Sequence, residues 1–380
     1  MAKWTRGGYD VFVILLTVGD GFKEDAARYY LSLAVTPEEY LHMGYERQRE
    51  TRQALAEVGV PSSHIYFLGF PDGGLDALWL RYWEEVWTSP TTQKDRVPYL
   101  TAWRPDASYQ GVELLRLLLA LYHQIRPTRI VMPSAQDTHP DHWATNAFAT
   151  LAWAEMARRH PDWRNVERWG YLVHWPAWPM PLAYRPKVPA EPPGGLAKLS
   201  QEPWHHEALE AWMVEAKRRA LMAYESQVEL IKPFMLAFCR ATEAFSVESQ
   251  WRPRHEGALR VVENPPQDWL TRSVRKTNPL VDMRMSRRSL RVRWLFRPPD
   301  DAKLEIALKP IDGSETSYHI DVGQHGGNSG VSVRADDRLW EVSWPEAWLS
   351  EKDAAMVGVQ ALVDGKSLGK IPFRVLRWEA

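Results

Sequence analysis

Two histidines and two aspartates lie within six residues of this 380-residue chain, in Asp137-Thr138-His139-Pro140-Asp141-His142. Neutral imidazole is a common ligand of divalent ions, and a carboxylate either binds the ion or accepts a hydrogen bond from the second nitrogen of the ring. His139 and His142 are three residues apart, so their rings face one side of a first helical turn. The segment is a candidate metal site. A helix N-terminus with incidental histidines is the alternative, because zinc usually takes three protein ligands.

The candidate site lies within an alternating series of strands and helices. Short apolar runs, typical of strands buried on both faces, predict strands at Val11–Leu16, Ile65–Phe70, Arg129–Met132 and Trp169–His174. Helices are predicted over Thr36–Val58, Gly111–Ile125 and Ala144–Arg159, with helical character again over His206–Phe245 and a break near Pro233. This order predicts an α/β fold with a Rossmann-like, mostly parallel sheet and flanking helices. Ligands of such sheets bind beyond the carboxyl ends of the strands, which is where Asp137 begins its motif.

The last third of the chain has a different pattern. Apolar residues alternate with polar ones in Leu290–Phe296 and again in Trp340–Trp344, which is typical of half-buried strands. We therefore expect an antiparallel, β-sandwich-like domain over residues 281–380, joined by a linker at residues 251–280 to an α/β domain at residues 1–250.

Composition excludes several classes of protein. The net charge is −1, so no overall positive field attracts nucleic acid, and the single cysteine, Cys239, rules out an internal disulfide and a cysteine zinc cluster. No apolar run approaches the roughly 20 residues of a membrane span, and the N-terminus lacks a signal-peptide layout, so a cytoplasmic location is expected. Core packing is the favoured interpretation of the 20 tryptophans, with sugar stacking as the alternative.

Six stretches between residue 1 and about residue 245 carry a resemblance to a known family. They are Gly8–Val11 leading to Thr17–Gly21, Arg47–Glu50, Leu68–Gly73, Asp137–His142, Tyr171–His174 and Lys217–Gln227. In this order they resemble the PIG-L (LmbE-like) zinc-dependent N-deacetylases. The resemblance implies a Zn²⁺ cofactor and hydrolysis of an N-acetyl group on a sugar.

The sequence departs from the family at its beginning. Family members begin with a strand that ends in His-Pro-Asp-Asp-Glu and supplies two zinc ligands and the general base, and the other His-Pro-Asp here, His160–Asp162, lies at a predicted helix end. We therefore expect an N-terminally truncated domain that lacks the first strand. We also expect the chain as given to bind zinc weakly and to hydrolyse its substrate poorly.

The resemblance implies roles for the four residues of the histidine motif. His142 would be a zinc ligand, while His139 would stabilise the tetrahedral intermediate and protonate the leaving amine. Asp141 would orient His139. Asp137 would accept a hydrogen bond behind the metal ligands.

The resemblance also implies substrate contacts by Arg47 and Asp72, whose charged groups could hold vicinal sugar hydroxyls. Each has a structural alternative, since Arg47 could pair with Glu50 one turn on and Asp72 could cap a turn. His174 could line the pocket, or it could be an edge histidine whose hydrogen bonds are satisfied by the fold.

Two functions of different class remain after these considerations. The first is a zinc-dependent N-deacetylase whose partner is a small-molecule or glycoconjugate substrate similar to N-acetylglucosamine. The second is a catalytically inactive relative that binds carbohydrate or serves as a scaffold. Neither requires nucleic acid or a membrane span.

Overall fold

The computed structural model describes residues 1–32, 34–194, 196, 203–248, 258–260, 279–328, 330–350 and 352–377. Its helices are α1 (Ala2–Arg6), α2 (Lys23–Tyr29), α3 (Pro37–Glu57), α4 (Leu75–Leu80), α5 (Gly111–Ile125), α6 (Pro140–Arg159), α7 (Ala211–Met222) and α8 (Glu225–Ala237). The first six strands are β1 (Val13–Thr17), β2 (Ile65–Phe70), β3 (Arg129–Pro133), β4 (Glu167–Tyr171), β5 (Trp204–Ala208) and β6 (Thr242–Val247). The later strands are β7 (Ala258–Arg260), β8 (Leu280–Met285), β9 (Ser289–Trp294), β10 (Lys303–Pro310), β11 (Tyr318–Gly323), β12 (Gly326–Gly327), β13 (Ser332–Asp336), β14 (Leu339–Ser343), β15 (Ala354–Val363) and β16 (Lys366–Arg377).

Local signals fix the ends of α3 as predicted. Thr36 and Glu39 form a capping box, in which the Thr36 side chain accepts from the Glu39 amide at 3.3 Å and the Glu39 carboxylate accepts from the Thr36 amide at 2.8 Å. Pro37 occupies the first helical turn. The helix ends before Gly59, whose φ of +81° is a conformation that favours glycine.

The parallel strands form two separate sheets rather than one. β1 pairs with β2 in parallel, and β3 pairs with β4 in parallel. The second sheet continues through β6 and β5 in the order β3-β4-β6-β5, with both added strands antiparallel. Among the described strands, none hydrogen-bonds to the outer edges of β1 and β3, and residues of both strands line one cavity.

The predicted helical character over His206–Phe245 is wrong at both of its ends. β5 pairs with β6 over Trp204–Ala208, so His205 and His206 lie on a strand. The His205 ring packs against Trp169 with their centroids 4.6 Å apart, which buries aromatic surface that a helix start would leave in water. The predicted break is confirmed, since α8 contains Pro233 and a non-helical residue, Ile231.

The carboxy-terminal region forms two five-stranded antiparallel sheets, with the orders β12-β11-β10-β15-β16 and β13-β14-β9-β8-β7. The alternating apolar residues of β9 and β14 are buried between them, which confirms the antiparallel β region. Most of the predicted linker lies outside the described residues, but Ala258–Arg260 within it is a strand that pairs with β8.

The sandwich packs directly on the α/β part of the chain. Ala307, Met356 and Phe373 belong to the same hydrophobic core as Trp79, and the Trp79 and Phe373 rings meet at 5.2 Å. The sheet containing β10 and β16 is therefore covered on both faces. Ten of the tryptophans that the structure describes are buried: Trp79, Trp83, Trp143, Trp153, Trp163, Trp169, Trp175, Trp294, Trp340 and Trp344. This burial favours the core-packing interpretation of these ten.

Among the described residues, no helix combines the length and the apolar character that crossing a membrane would require.

Candidate active site

The histidine motif forms the turn that joins β3 to α6. Pro133 ends β3, and His139 is the N-cap of α6 with Pro140 in the first turn. Proline suits this position because an N–H at the start of a helix would have no partner within the helix, so its absence costs nothing. The sequence thus places the two histidines of the motif where a strand ends and a helix begins, as predicted.

Asp137 is the buried centre of this turn, with no exposed surface. Its Oδ1 accepts from the His139 amide at 2.9 Å, and its Oδ2 accepts from the amides of Val173 and His174, each at 2.9 Å. His142 Nδ1 lies 3.2 Å from the same Oδ2. Burial raises the pKa of Asp137, but the adjacent His142 imidazole and these amides outweigh it and hold the pKa below its usual value. Asp137 therefore ties the motif to the segment after β4.

Three imidazoles meet beside Asp137. The ring centroids of His139 and His142 are 4.7 Å apart, those of His139 and His174 are 5.2 Å apart, and those of His142 and His174 are 5.0 Å apart. Phe234 of α8 stacks on His174 with a centroid distance of 5.5 Å. His174 therefore does line the cavity with the motif histidines.

Two of these rings have a buried nitrogen whose hydrogen bonding is incomplete. The Nδ1 atoms of His139 and His142 are buried and have no aligned hydrogen-bond partner within the described part of the chain. Burial, with the neighbouring imidazoles, lowers the pKa of His139 to about 4, and burial also lowers the pKa of His174, so both rings are neutral near pH 7. Neutral imidazole is the form that binds a metal.

The donor chemistry suits a zinc ion, but the arrangement does not complete a site. Among the described residues, no group of three or more histidine, cysteine, aspartate or glutamate side chains is placed to hold a metal ion. A zinc site needs about four ligands at about 2.0–2.3 Å. The three imidazoles therefore supply candidate donors and not a preformed cage.

The Asp141 carboxylate binds backbone amides of the loop after β2. Its Oδ2 accepts from the Gly73 amide at 2.6 Å and its Oδ1 from the Leu75 amide at 3.0 Å, so it anchors the turn that starts α4. Burial, with the nearby Asp72 carboxylate, raises the pKa of Asp141 well above its usual value. Asp141 would therefore orient His139 only indirectly, because its carboxylate fixes the turn that carries Asp72.

Asp72 links the loops after β1 and β2. Its carboxylate accepts from the Gly21 amide at 2.9 Å and from the Thr17 hydroxyl at 3.3 Å. Asp72 thus binds the end of β1 and the loop after it. These hydrogen bonds do not cap the turn that contains Asp72 itself, which was the structural alternative. Asp20 lies in the same loop, buried, and accepts a hydrogen bond from the Tyr99 hydroxyl.

Asp20 makes the stability of this loop depend on pH. Burial and the Asp72 charge raise the pKa of Asp20 from 3.8 to about 7. Because the folded protein binds this proton more tightly than the unfolded chain, the free energy of unfolding falls as pH rises from about 4 to about 7. We expect Asp20→Asn to raise the free energy of unfolding at pH 8, by at most about 4 kcal/mol, and to remove this part of the pH dependence. Urea unfolding at pH 5 and pH 8 measures both effects.

The exposed Asp353 offers a matched control for that experiment. Asp353→Asn removes one carboxylate without burial, so its unfolding curve should match the wild type at both pH values. A loss of stability in Asp20→Asn at pH 8 would contradict the expected benefit of removing the buried charge.

Arg47 is buried on α3 and pairs with Asp25 of α2. The Gln227 side-chain oxygen also accepts from the guanidinium in the amide orientation that satisfies both partners. The alternative pair with Glu50 does not form, since the Glu50 carboxylate accepts from the amide and hydroxyl of Ser226, both at 2.7 Å. Arg47 is thereby held at the cavity wall.

A cavity of about 1940 Å³ collects most of the predicted site residues. Its lining includes Arg47, Asp72, His139, His142 and His174. Asp137 and Asp141 lie behind this wall and hold its backbone. No sequence pattern singles out Asp25 or Phe234, because both act through neighbours that are distant in the chain.

Fold and cavity together define the class of protein: an α/β protein whose imidazole cluster lies beyond the carboxyl ends of its parallel strands. Residues 1–153 match the sequence model of a family described as PIG-L: GlcNAc-PI de-N-acetylase. The match covers 153 of the 380 residues, and this part of the chain is similar to a family of deacetylase-type hydrolases.

The other comparisons add little to this match. No curated protein matches the chain significantly. The crystal structure of the conserved protein TT1542 from Thermus thermophilus is 18% identical, covers 64% of this chain and 99% of that chain, and has a TM-score of 0.34.

Proposed function

We propose that this protein is a zinc-dependent N-deacetylase that releases acetate from an N-acetylated sugar, similar to N-acetylglucosamine, or from a glycoconjugate. The observation that carries the proposal is the meeting of His139, His142 and His174 in one cavity of a chain with a PIG-L domain. Arg47 and Asp72 line the same cavity and offer charged groups of both signs to sugar hydroxyls.

His139 is the proposed proton donor to the leaving amine. Its ring lies in the cavity lining, its backbone amide is fixed by Asp137, and its Nδ1 has no aligned partner among the described residues. The ring is neutral near pH 7 in the free protein, so it would gain its proton beside the negatively charged tetrahedral intermediate before it delivers that proton to the leaving nitrogen. Asp137 holds the turn that carries His139, and Asp141 holds the turn after β2 that carries Asp72.

His142 is the proposed zinc ligand, with His174 as a further imidazole donor nearby. Bound zinc would polarise the acetyl carbonyl and lower the pKa of a bound water to about 7. The Asp137 carboxylate, 3.2 Å from His142 Nδ1, supports this role, because a metal-binding imidazole commonly has its other ring nitrogen beside a carboxylate.

We expect the 380-residue chain to bind zinc substoichiometrically. Because its described residues form no three-ligand group, zinc remaining after incubation in excess zinc and desalting should fall well below one ion per chain. His142→Ala should lower it further. Elemental analysis measures the ratio, and His160→Ala, which removes an exposed imidazole at the other end of α6, is the control.

Two outcomes would contradict this proposal. One tightly bound ion per chain would overturn the expectation of weak binding, and equal zinc contents in wild type and His142→Ala would remove His142 as a ligand. Glycan binding that His142→Ala leaves unchanged, with no acetate released from N-acetylglucosamine, would favour the inactive carbohydrate-binding relative instead.

A further inference from the structure

The sandwich strand β16 reaches the turn that carries the histidine cluster. Lys370 Nζ donates a hydrogen bond to the backbone carbonyl of Asp137 at 2.7 Å, across a sequence separation of 233 residues. The N–H of the same peptide group belongs to Thr138 and donates to the His174 carbonyl at 3.0 Å. One peptide plane is therefore held on its oxygen side by Lys370 and on its N–H side by the segment that carries His174.

β16 also contacts the residue that follows His142. The Phe373 ring stacks on the Trp143 ring with centroids 5.6 Å apart and planes at 14°, and both side chains are buried. Lys370 Nζ lies 5.5 Å from the centroid of the same Trp143 ring. The first turn of α6 is thus in contact with β16 at its backbone and at a core side chain.

We propose that Lys370 is a positioning residue of the active site and that the β-sandwich serves to hold the Asp137–His142 turn. The expected effect of Lys370 on activity rests on the proposed function. The expected effect of Lys370 on the position of the turn does not. Tilting the peptide plane between Asp137 and Thr138 would shift the Asp137 carboxylate and the N-cap His139 together, because the His139 amide donates to Asp137 Oδ1.

The sandwich has other attachments that do not involve Lys370. Arg81 donates to both carboxylate oxygens of Glu305, at 2.6 and 3.0 Å, and Trp83 Nε1 donates to the Glu315 carbonyl at 2.6 Å. A substitution at Lys370 should therefore leave the sandwich docked.

The test compares Lys370→Met, Lys370→Arg and Lys366→Met. Methionine keeps the apolar stem and removes the donor, arginine keeps a cationic donor, and Lys366 is an exposed lysine on the same strand. Hydrogen–deuterium exchange of residues 134–143 reports the turn without any need for activity. Deacetylation kinetics with N-acetylglucosamine report its consequence.

In Lys370→Met we expect exchange of this segment to accelerate roughly tenfold and kcat to fall roughly tenfold with KM nearly unchanged, as for the loss of a group that orients ligands. Lys370→Arg should restore both, and Lys366→Met should match the wild type. Faster exchange in Lys370→Met with no activity in any form of the protein would support the positioning role and contradict the proposed function. Unchanged exchange in a folded Lys370→Met would overturn the inference, as would a failure of arginine to restore it.

Lys370→Gln guards against misfolding of the methionine variant. Glutamine retains an N–H donor but is shorter, so exchange should be intermediate if the hydrogen bond matters.

Discussion

Replacing His139 by glutamine should lower kcat for deacetylation by about 10²- to 10⁴-fold, the range that general acid–base groups contribute. Glutamine has similar reach and can still hydrogen-bond an oxyanion, but it cannot transfer a proton to the leaving amine. KM should change little, because the Arg47 and Asp72 side chains that line the cavity are untouched. The rate of amine formation from N-acetylglucosamine, measured at saturating substrate and in excess zinc because the chain binds the ion weakly, gives the ratio.

His160→Gln is the matched control for this experiment. His160 is exposed at the carboxyl end of α6, while His139 is the N-cap at the other end, so the two substitutions alter the same helix. The control should keep the wild-type kcat. A His139→Gln enzyme within a factor of about three of the wild type would remove His139 from the chemistry and leave it a structural N-cap.

Replacing Asp137 by alanine should lower the free energy of unfolding by about 3 kcal/mol. The amides of His139, Val173 and His174 would lose the carboxylate of the fully buried Asp137 as their acceptor. Each unpaired buried donor costs about 1–3 kcal/mol, and water that enters the space recovers part of this cost. Urea denaturation at pH 7 measures the change.

Asp137→Asn separates the hydrogen bonds from the charge. Asparagine keeps one acceptor oxygen, so its loss of stability should be smaller than that of alanine. The exposed Asp353→Ala should change stability by less than about 0.5 kcal/mol. If Asp137→Ala were as stable as this control, Asp137 would not be the anchor that joins the motif to His174.

Both predictions depend on a motif whose local structure the sequence determines. A strand that ends in proline, an N-cap position and a proline in the first turn are all set by residues within a few positions of one another. The same is true of the Thr36–Glu39 capping box and of the glycine after α3. These elements could be predicted because their hydrogen bonds and backbone angles are local.

The sheet order could be predicted only in part. Apolar runs identify β1 to β4 as strands, but the expected burial on both faces is wrong for β1, where only Leu16 is buried, and for β3, where Val131 is exposed. The runs also do not say which edges pair, and the parallel strands divide into two sheets. At β5, pairing with β6 overrides the helical character of the neighbouring sequence. Pairing depends on strands far apart in the chain, so no local pattern contains it.

The sequence by itself determined that His139 and His142 stand together at the start of a helix beyond a strand. Only the tertiary structure decided that His174 joins them, that Arg47 pairs with Asp25 rather than with Glu50, and that Lys370 reaches the Asp137 carbonyl. The physical reason is range. Capping and helical spacing act within one turn, whereas the partner of a buried charge or ring is whatever the packed layers bring within a few ångströms of it.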